Sequence, residues 1–572
     1  SSGNSNNWSV NNIATTDQMP DTPTNNFCTM NSIAKKSTVT LSEGNLKSFS
    51  NDGSIIANVE ATFGISSGKW YFEASGRSGS NVGYPVIYLA DATTRSFNNT
   101  NYAGNGCSAY GAPLVNGSLL TRVASLSLNS TSEVRQFAFD FDDGKMWIGK
   151  NGTWYDNSGT SFTNSTGPES GNNFNSNSGF TYDVGKLFSG HNDGNCAITF
   201  NFGQDSTFVG GTTAGGNTDG NGIGDFKHPV PSGFLALCSA NLPDSTIGPG
   251  QTALAEDYFV PYIYTADGTS PKSRTGLGFS PDFLWFKDRT VSLSHALYDT
   301  IRGPNKGLQT NSTSAENSYN ALNSFDADGF TTITDGVVGN LLNNSTDSYV
   351  AWSWKAGGTP TATNSAGAGA VPTSGSVLID GVASTSALAG TIAANKISAN
   401  TAAGFSIINY TGNGLSSQTV GHGLSSTPEF LIHKDRGTNS NNGQWNAWHK
   451  YAGDGDDYGY LSATNAFTGS AQIIPNGTDT IELKANLTTT NQSGHSFIMY
   501  AFHSVEGYSR VGSFEGNSNV DGAFVYTGFR PSFVLFRSAA ISANWYIIDN
   551  KRNPSNVVNK YLRPIISNTE GS

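Results

Sequence analysis

Charge and cysteine are both scarce in this sequence. Only 13% of its 572 residues are charged, and 43 acidic residues outnumber 31 basic ones, which gives a formal net charge of −12. Because neutralising phosphate groups needs clustered Lys and Arg, we do not expect nucleic acid as a partner. The cysteines lie far apart and form no Cys-x-x-Cys pair or zinc spacing, so we expect buried free thiols; they are Cys28, Cys107, Cys196 and Cys238.

Long apolar runs and amphipathic helical repeats are missing as well. No stretch of about 18 apolar residues occurs, and we therefore expect no membrane insertion. Polarity comes instead from Asn, Ser, Thr and 67 Gly, and Gly and Asn tolerate the positive φ of tight turns. This composition predicts an all-β fold of serial antiparallel β-sandwich domains.

The first 245 residues alternate short apolar strands with Gly/Asn/Ser turns. Residues 1–30 are predicted to be an irregular arm, and 31–245 a β-sandwich. In "RQFAFDFDDGKMWIGKNGTWY" (135–155), the alternating Phe residues and the "DDG" turn predict a hairpin. The polar stretch 156–180 is predicted to be a surface loop.

Several phrases in this part resemble a SPRY domain. They are "GKWYFE", the hairpin sequence "FAFDFDDGKMWIGKNGTWY", "FNFGQ" and the closing "GFLALC" (233–238). The resemblance implies a two-sheet antiparallel sandwich that binds partners through its loops. We also expect this domain to have no catalytic centre.

One phrase occurs three times in the rest of the chain. "GFSPDFLWFKDR" (278–289), "GLSSTPEFLIHKDR" (423–436) and "GFRPSFVLFR" (528–537) align on their prolines, with Phe two residues later and a basic residue six residues later. A proline opens a strand where its missing N–H costs least. We therefore predict one β-module used three times, as module 1 (255–356), module 2 (396–504) and an incomplete module 3 (505–572).

The closing strands of modules 1 and 2 are predicted at "SYVAWSWKA" (348–356) and "SFIMYAFHS" (496–504). We align them by placing Val350, Trp352 and Trp354 on Tyr500, Phe502 and Ser504. The Ala/Thr/Ser/Gly-rich segment 357–395 is predicted to be a flexible linker, although "SVLIDGVA" within it could pair as strands.

Module 3 is predicted to have strands at 510–515, 531–537 and 544–549, but no closing strand. A sandwich that misses a strand exposes backbone donors and acceptors. Three explanations stay open: the chain is part of a longer polypeptide, which we favour, a neighbouring subunit donates the strand, or the module is naturally short.

Catalytic patterns are weak. "GISSG" (64–68) matches G-x-S-x-G, but a strand follows it where a nucleophile elbow needs a helix. The histidines form no HExxH pattern, and neither a P-loop nor a dinucleotide fingerprint occurs. We therefore expect a protein that is not an enzyme.

Two groups of residues are candidate binding sites. Calcium could bind the acidic turn "DGDDYG", although an EF-hand would need Glu where Asn465 stands. Sugar rings could stack on aromatic residues that recur in modules 2 and 3, but aromatic strand residues more often belong to the core. The calcium candidates are Asp454, Asp456 and Asp457, and the glycan candidates are Trp445, Trp448, His449 and Trp545.

A second resemblance covers almost the whole chain. "NNWSVNNIATTDQMPDTPTNNFCTMN", "SYVAWSWKAGG", "GFSIINYTGNG" and "VEGYSRVGSFEGN" resemble tail-associated structural proteins of marine bacteriophages. The resemblance implies location in the virion, other virion proteins as partners and a homo-oligomer, for which we expect a trimer. It implies a tail fibre or tail-associated appendage that contacts a host surface glycan or protein. The alternatives are a capsid decoration protein without receptor binding, and a surface-polysaccharide depolymerase, which would need paired carboxylates.

Overall fold

A computed structural model describes residues 25–571 apart from short gaps. The gaps are 51–56, 76–77, 80–83, 92–104, 110–111, 116–117, 120–122, 129, 157–160, 163–184, 193–195, 243–244, 249–250, 335–340, 438–442, 454, 485–488, 515, 517–524 and 526. The described residues form strands, turns and short 3-10 segments at Ala124–Leu126, Ser239–Asn241 and Ala255–Asp257, and they include no α-helix. The predicted all-β class is confirmed.

The chain divides into two compact units. Unit 1 comprises Ser1–Asp244 with Phe514–Tyr526, and unit 2 comprises Ser245–Ser513 with Thr527–Ser572. The strands of unit 1 are β1 Met30–Lys35, β2 Val39–Ser42, β3 Lys47–Ser50, β4 Ala57–Ile65, β5 Lys69–Ser75, β6 Ser78–Gly79, β7 Tyr84–Asp91, β8 Asn105–Ser108, β9 Pro113–Val115, β10 Ser118–Leu119, β11 Val134–Asp140, β12 Lys145–Lys150, β13 Thr153–Tyr155, β14 Ser161–Phe162, β15 Gly185–Asn192, β16 Cys196–Asn201 and β17 Leu235–Ala236.

Unit 1 is a sandwich of two sheets. One has the order β1-β4-β15-β7-β8-β9-β10, and the other the order β14-β13-β12-β11-β5-β16-β3-β2, with β17 beside β5 and β6 beside β16. All of these strand pairs are antiparallel except β17 with β5. Since side chains alternate between faces, Phe72, Phe137 and Phe139 point together into the main core of this unit.

The predicted hairpin lies at β11–β12, where Phe137 pairs with Ile148. The Asp140 carboxylate accepts hydrogen bonds from the backbone N–H groups of Asp142 and Asp143 and pairs with Lys69 at 2.7 Å. These contacts stabilise the turn, for which Gly144 supplies a positive φ of 63°. All four cysteines are free and buried, as the sequence predicts.

Two predicted segments of unit 1 need separate comment. Of the predicted arm 1–30, residues 1–24 lie outside the described residues. The remainder is not irregular, because Phe27 bridges Cys238 and the backbone N–H of Cys28 donates to Leu237 O. The predicted loop 156–180 lies outside the described residues except for Asp156 and for β14, which pairs with β13.

Unit 2 contains the repeated modules. Its strands are β18 Phe259–Thr265, β19 Lys272–Thr275, β20 Phe283–Asp288, β21 Ala296–Asp299, β22 Leu322–Asp326, β23 Gly329–Thr332, β24 Ser348–Trp354, β25 Val377–Ile379, β26 Val382–Ala383, β27 Ala394–Asn400, β28 Phe405–Thr411, β29 Gln418–Gly421, β30 Phe430–Asp435, β31 Asn446–His449, β32 Tyr458–Tyr460, β33 Ile473–Asn476, β34 Thr480–Leu483, β35 Ser496–Phe502, β36 Phe533–Phe536 and β37 Tyr546–Asp549.

Modules 1 and 2 have the same strand order. Module 1 pairs a sheet β18-β24-β20-β21 with a sheet β19-β23-β22. Module 2 repeats this as β28-β35-β30-β31 and β29-β34-β33, and its larger sheet continues through β27, β25 and β26 at one edge and β32 at the other. In module 3 the described residues form only the β36–β37 pair, which corresponds to β20–β21.

The pairing of the proline strand with the return strand shows which single residues of the three modules are equivalent. Phe283 pairs with Asp299, Phe430 with His449, and Phe533 with Asp549. Each Phe stands two residues after a repeated proline, as the sequence alignment places it.

The predicted alignment of the closing strands is wrong by two residues. Trp354 pairs with Phe283 in module 1, and Phe502 pairs with Phe430 in module 2. Trp354 therefore corresponds to Phe502 and not to Ser504. Module 3 also differs from prediction, because residues 510–514 form no opening strand and its return strand begins at Tyr546.

The segment 357–395 is packed and is not a flexible linker. Its strands β25 and β26 extend the larger sheet of module 2, and β25 runs parallel to β27. Ser376 and Val377 are buried, and the Asp380 N–H donates to Ala399 O at 2.9 Å. Apolar residues of "SVLI" pack into the core of module 2. The Ala- and Gly-rich composition of the flanking residues gives no sign of this packing.

The described residues of unit 2 pack into three cores. Alternate residues of β20 face in opposite directions, so that Leu284 and Phe286 enter the sandwich core of module 1, whereas Phe283 and Trp285 enter a second core. Module 2 likewise has its own sandwich core. The second core is shared by all three modules, and we call it the central core; Phe533, from module 3, packs against it.

Candidate functional site

The four candidate glycan residues do not form a stacking surface. Trp445, Trp448 and Trp545 are 0, 4 and 3% exposed, and His449 is half-buried with an edge contact to Phe430. A sugar ring needs an open aromatic face, and these three indoles have none. The prediction of glycan stacking at these positions is therefore wrong.

Two of these tryptophans join modules to one another. Trp445 and Trp545 stand immediately before β31 and β37, at the position that His295 occupies before β21. Trp445 Nε1 donates to Gln309 O of module 1 at 2.9 Å, and Trp545 Nε1 donates to Tyr460 O of module 2 at 2.9 Å.

His295 makes the third bond of the same kind. Its Nε2 lies 3.1 Å from Arg563 O of module 3, while its Nδ1 accepts from Trp285 Nε1. This assignment leaves the proton on Nε2, and burial keeps the pKa of His295 well below its usual range, so the neutral ring donates. Module 2 thus bonds to module 1, module 1 to module 3, and module 3 to module 2. The three modules close a ring of equivalent contacts.

Buried ion pairs reinforce the first contact of this ring. Arg436 of module 2 forms a bidentate pair with Glu316 of module 1, at 2.8 and 2.9 Å. Glu316 also lies 3.6 Å from Arg302, which pairs with Asp299 at 2.6 Å. Tyr500 of module 2 donates to this same Asp299 at 2.8 Å. Bidentate, hydrogen-bonded pairs offset the cost of burying charge.

The second contact repeats this network with other residues. Arg289 of module 1 pairs with Glu570 of module 3 at 3.0 Å through two nitrogens. Glu570 also accepts from Arg552, which pairs with Asp549 at 2.5 Å, and Trp352 Nε1 of module 1 donates to Asp549. Burial raises the pKa of Glu570, but the hydrogen bonds and charges of the two arginines outweigh it and lower that pKa.

In the third contact, between modules 3 and 2, the described residues include no equivalent ion pairs. The positions that match Asp299, Arg302 and Arg289 hold His449, Ala452 and Ala539. Arg537 replaces the network: its guanidinium lies 5.3 Å from the Trp545 ring centroid and donates to backbone carbonyls of module 2. Desolvation lowers the pKa of Arg537 to about 10.

Sequence reasoning missed this network although its signal was present. "KDR" recurs at 287–289 and 434–436, and Asp-x-x-Arg recurs at 299–302 and 549–552. These charged residues recur at fixed positions next to buried strands. Burying a charge at such a position is costly unless an oppositely charged side chain pairs with it, so the recurrence indicates ion pairs.

The candidate calcium turn is only partly described. Asp454 lies outside the described residues, and Asp456 forms an ion pair with Lys484. Within the described ranges no group of three or more His, Cys, Asp or Glu could hold a metal ion. The same ranges contain no helix that is long and apolar enough to cross a membrane.

Residues 255–380 and 378–572 match the family described as a domain of unknown function, DUF7483. The chain belongs to this family. No curated protein matches the chain.

Solved structures are similar to the chain at low identity. The SPRY domain of human HERC1 is 11% identical, with 30% of this chain and 96% of that chain covered and a TM-score of 0.22. The TRIM65 PSpry domain is 10% identical, with 31% and 90% covered and a TM-score of 0.20. Stonustoxin is 17% identical, with 30% and 27% covered and a TM-score of 0.20. At these TM-scores the fold assignment rests on the sheets of unit 1 themselves.

Proposed function

We propose that the chain is a structural protein of a bacteriophage particle, a tail fibre or tail-associated appendage that contacts the host surface. The observation that carries this proposal is the ring of unit 2, in which one β-module is used repeatedly and its polar and aromatic residues join modules to one another. Such construction favours a load-bearing part over an enzyme, and we propose no catalytic role. Its partners would be other virion proteins and further copies of the chain, with a trimer as the expected oligomer.

Capsid decoration is the second candidate function. The burial of Trp445, Trp448 and Trp545 favours it, because the residues nominated for glycan contact pack inside unit 2 instead. A decoration protein needs assembly contacts but no receptor site. A polysaccharide depolymerase has no comparable support in the described residues.

Immunogold labelling of phage particles distinguishes these functions. Antibodies raised against the purified chain are expected to label the tail. Label spread over the capsid would support decoration and contradict the appendage. Particles without label, alongside label in the infected cell, would contradict a virion protein altogether.

Competition for adsorption tests the contact with the host. Host cells preincubated with the purified chain should adsorb fewer phages than cells preincubated with an unrelated β-sandwich protein. If adsorption is unchanged while the antibodies still label the tail, the chain is a tail component that does not bind the host receptor.

A further inference from the structure

Modules 1 and 2 differ in one pair of facing side chains at the end of the proline strand. In module 2, His495 Nδ1 lies 2.8 Å from Asp435 Oδ2. Asp435 is the last residue of β30 and stands opposite Phe497, so His495 is its diagonal neighbour on the same face of the sheet. The histidine ring thus bonds to a carboxylate that is 1% exposed.

Module 1 has a second carboxylate in place of this histidine. Asp288 ends β20 as Asp435 ends β30, and it stands opposite Tyr349. Asp347 precedes Tyr349 by two residues, which makes it the equivalent of His495. Asp288 is 1% exposed and Asp347 8% exposed. Module 1 therefore places two buried carboxyl groups where module 2 has a carboxylate and an imidazole.

Both carboxyl groups face the sandwich side of the sheet. Phe286 and Tyr349 belong to the sandwich core of module 1, and Asp288 and Asp347 lie two residues from them along the same segments. Burial, and then the charges of Asp288 and Asp347, raise the pKa of Tyr349. Burial and the charge of Asp347 raise the pKa of Asp288 against hydrogen bonds that lower it. The two carboxylates therefore act on each other and on the tyrosine beside them.

One oxygen of each carboxyl group has no hydrogen-bond partner among the described residues. Asp288 Oδ1 accepts from the backbone N–H groups of Thr290 and Val291 at 2.8 Å, whereas its buried Oδ2 accepts from no described group. Asp347 Oδ2 accepts from Asn344 Nδ2, and no described residue is hydrogen bonded to its Oδ1. Two oxygens are thus left to bind a further group.

Three cations on neighbouring segments have other partners. Lys287 Nζ donates to a backbone oxygen of β20 at 2.5 Å. Arg274 donates to the side-chain oxygen of Asn343 at 3.1 Å, and Arg289 pairs with Glu570. None of the three pairs with the two carboxylates. Burying carboxylates side by side without a counter-charge is unfavourable, because both desolvation and mutual repulsion oppose their ionisation.

We propose that Asp288 and Asp347 bind one divalent cation, Ca²⁺, in the place that His495 fills in module 2. Diagonal neighbours of an antiparallel pair lie about 7–8 Å apart, and two short aspartate side chains leave room between them for an ion. Ca²⁺ binds oxygens at about 2.3–2.6 Å in irregular geometry and accepts water as a ligand, whereas Mg²⁺ demands a regular octahedron. This inference rests on the internal repeat, goes beyond the proposed function and does not depend on it.

Isothermal titration calorimetry with CaCl₂ tests the site in the full chain after treatment with a chelator. The wild-type chain should bind Ca²⁺, and Asp288→Asn and Asp347→Asn should each abolish one binding event. The matched control is Asp267→Asn, which changes an exposed carboxylate of the same module and should leave binding unchanged. A wild-type chain that binds no Ca²⁺, or binding that survives both substitutions at the site, would overturn the proposal.

A histidine variant tests the equivalence with module 2. Asp347→His should allow the ring to bond to Asp288 Oδ2, so this variant should unfold at a higher temperature than the wild-type chain when both are in chelator. CaCl₂ should raise the unfolding temperature of the wild-type chain but not that of Asp347→His. Equal responses of the two chains to CaCl₂ would contradict the site. So would a wild-type chain that Asp347→Asn stabilises in chelator and in CaCl₂ alike, since its carboxyl groups would then share a proton.

Discussion

At the scale of single residues, unit 2 depends on charges that water does not reach. Asp299 and Arg302 have fully buried side chains, as do Asp549 and Arg552. Each pair lies at a contact between two modules, beside a glutamate of its own module and an aromatic donor of the neighbouring module. Removing one member would leave its partner charged and unpaired in the core.

We predict that Arg552→Ala lowers the free energy of unfolding by about 3–5 kcal/mol, because the Asp549 carboxylate stays buried without its partner. The matched control is Lys272→Ala, which removes an exposed pair with Asp267 and should change the free energy of unfolding far less. Urea unfolding of the full chain measures both. Equal losses would contradict the role of the buried network.

A second residue-scale prediction concerns His433, which is fully buried against Tyr410. Burial lowers the pKa of His433 from 6.5 to about 3. Below its unfolded pKa the unfolded chain binds a proton that the folded chain does not, so stability falls as the pH drops from 6.5 toward 3. The His433→Gln variant should lose about 1.4 kcal/mol less per pH unit over this range. Urea titrations between pH 6.5 and 4 give the slope, and identical slopes would contradict a neutral buried ring.

At the scale of strands, the strand after the repeated proline has the same inner face in all three modules, but its outer face is covered to different extents. One face enters the central core in every module. The other face enters a sandwich core in modules 1 and 2, but it is half-buried in module 3. Position along the strand is therefore not enough to tell what a side chain contributes.

Equivalent substitutions in β20 and β36 measure this difference. Phe286→Ala should cost about 3–5 kcal/mol, since the ring is fully buried in the core of module 1. Phe536→Ala, at the equivalent position, should cost about 1 kcal/mol because its ring is only half removed from water. Unfolding midpoints in urea compare the two, and a larger cost at Phe536 would mean that another element covers this face.

The strands and the repeat could be predicted from sequence because Pro281, Pro428 and Pro531 fix the phase of an alternating pattern. The closing strands could not be aligned with the same certainty, since a shift of two residues keeps Trp354 on the same face and satisfies the pattern equally well. The partners that bury Trp445 and Trp545 could not be predicted either. They include Gln309 and Tyr460, which lie more than 80 residues away in the chain.

At the scale of the whole of unit 2, the three modules and the segment 357–395 form one packed body. Hydrogen exchange tests the packing of this segment. The amides of Thr361, Asp380 and Thr391 bond to backbone carbonyls and should exchange far more slowly than in an unfolded peptide. Exchange at the random-coil rate would contradict the packed segment and support the flexible linker that the composition predicts.

The most direct test of the proposed role is a cryo-electron microscopy map of the phage particle that carries this chain. We predict density on the tail into which unit 2 fits with its three modules closed as a ring and with Arg436–Glu316 and Arg289–Glu570 in contact. The same density on the capsid, no density for the chain on the particle, or modules separated along the tail would contradict the proposal.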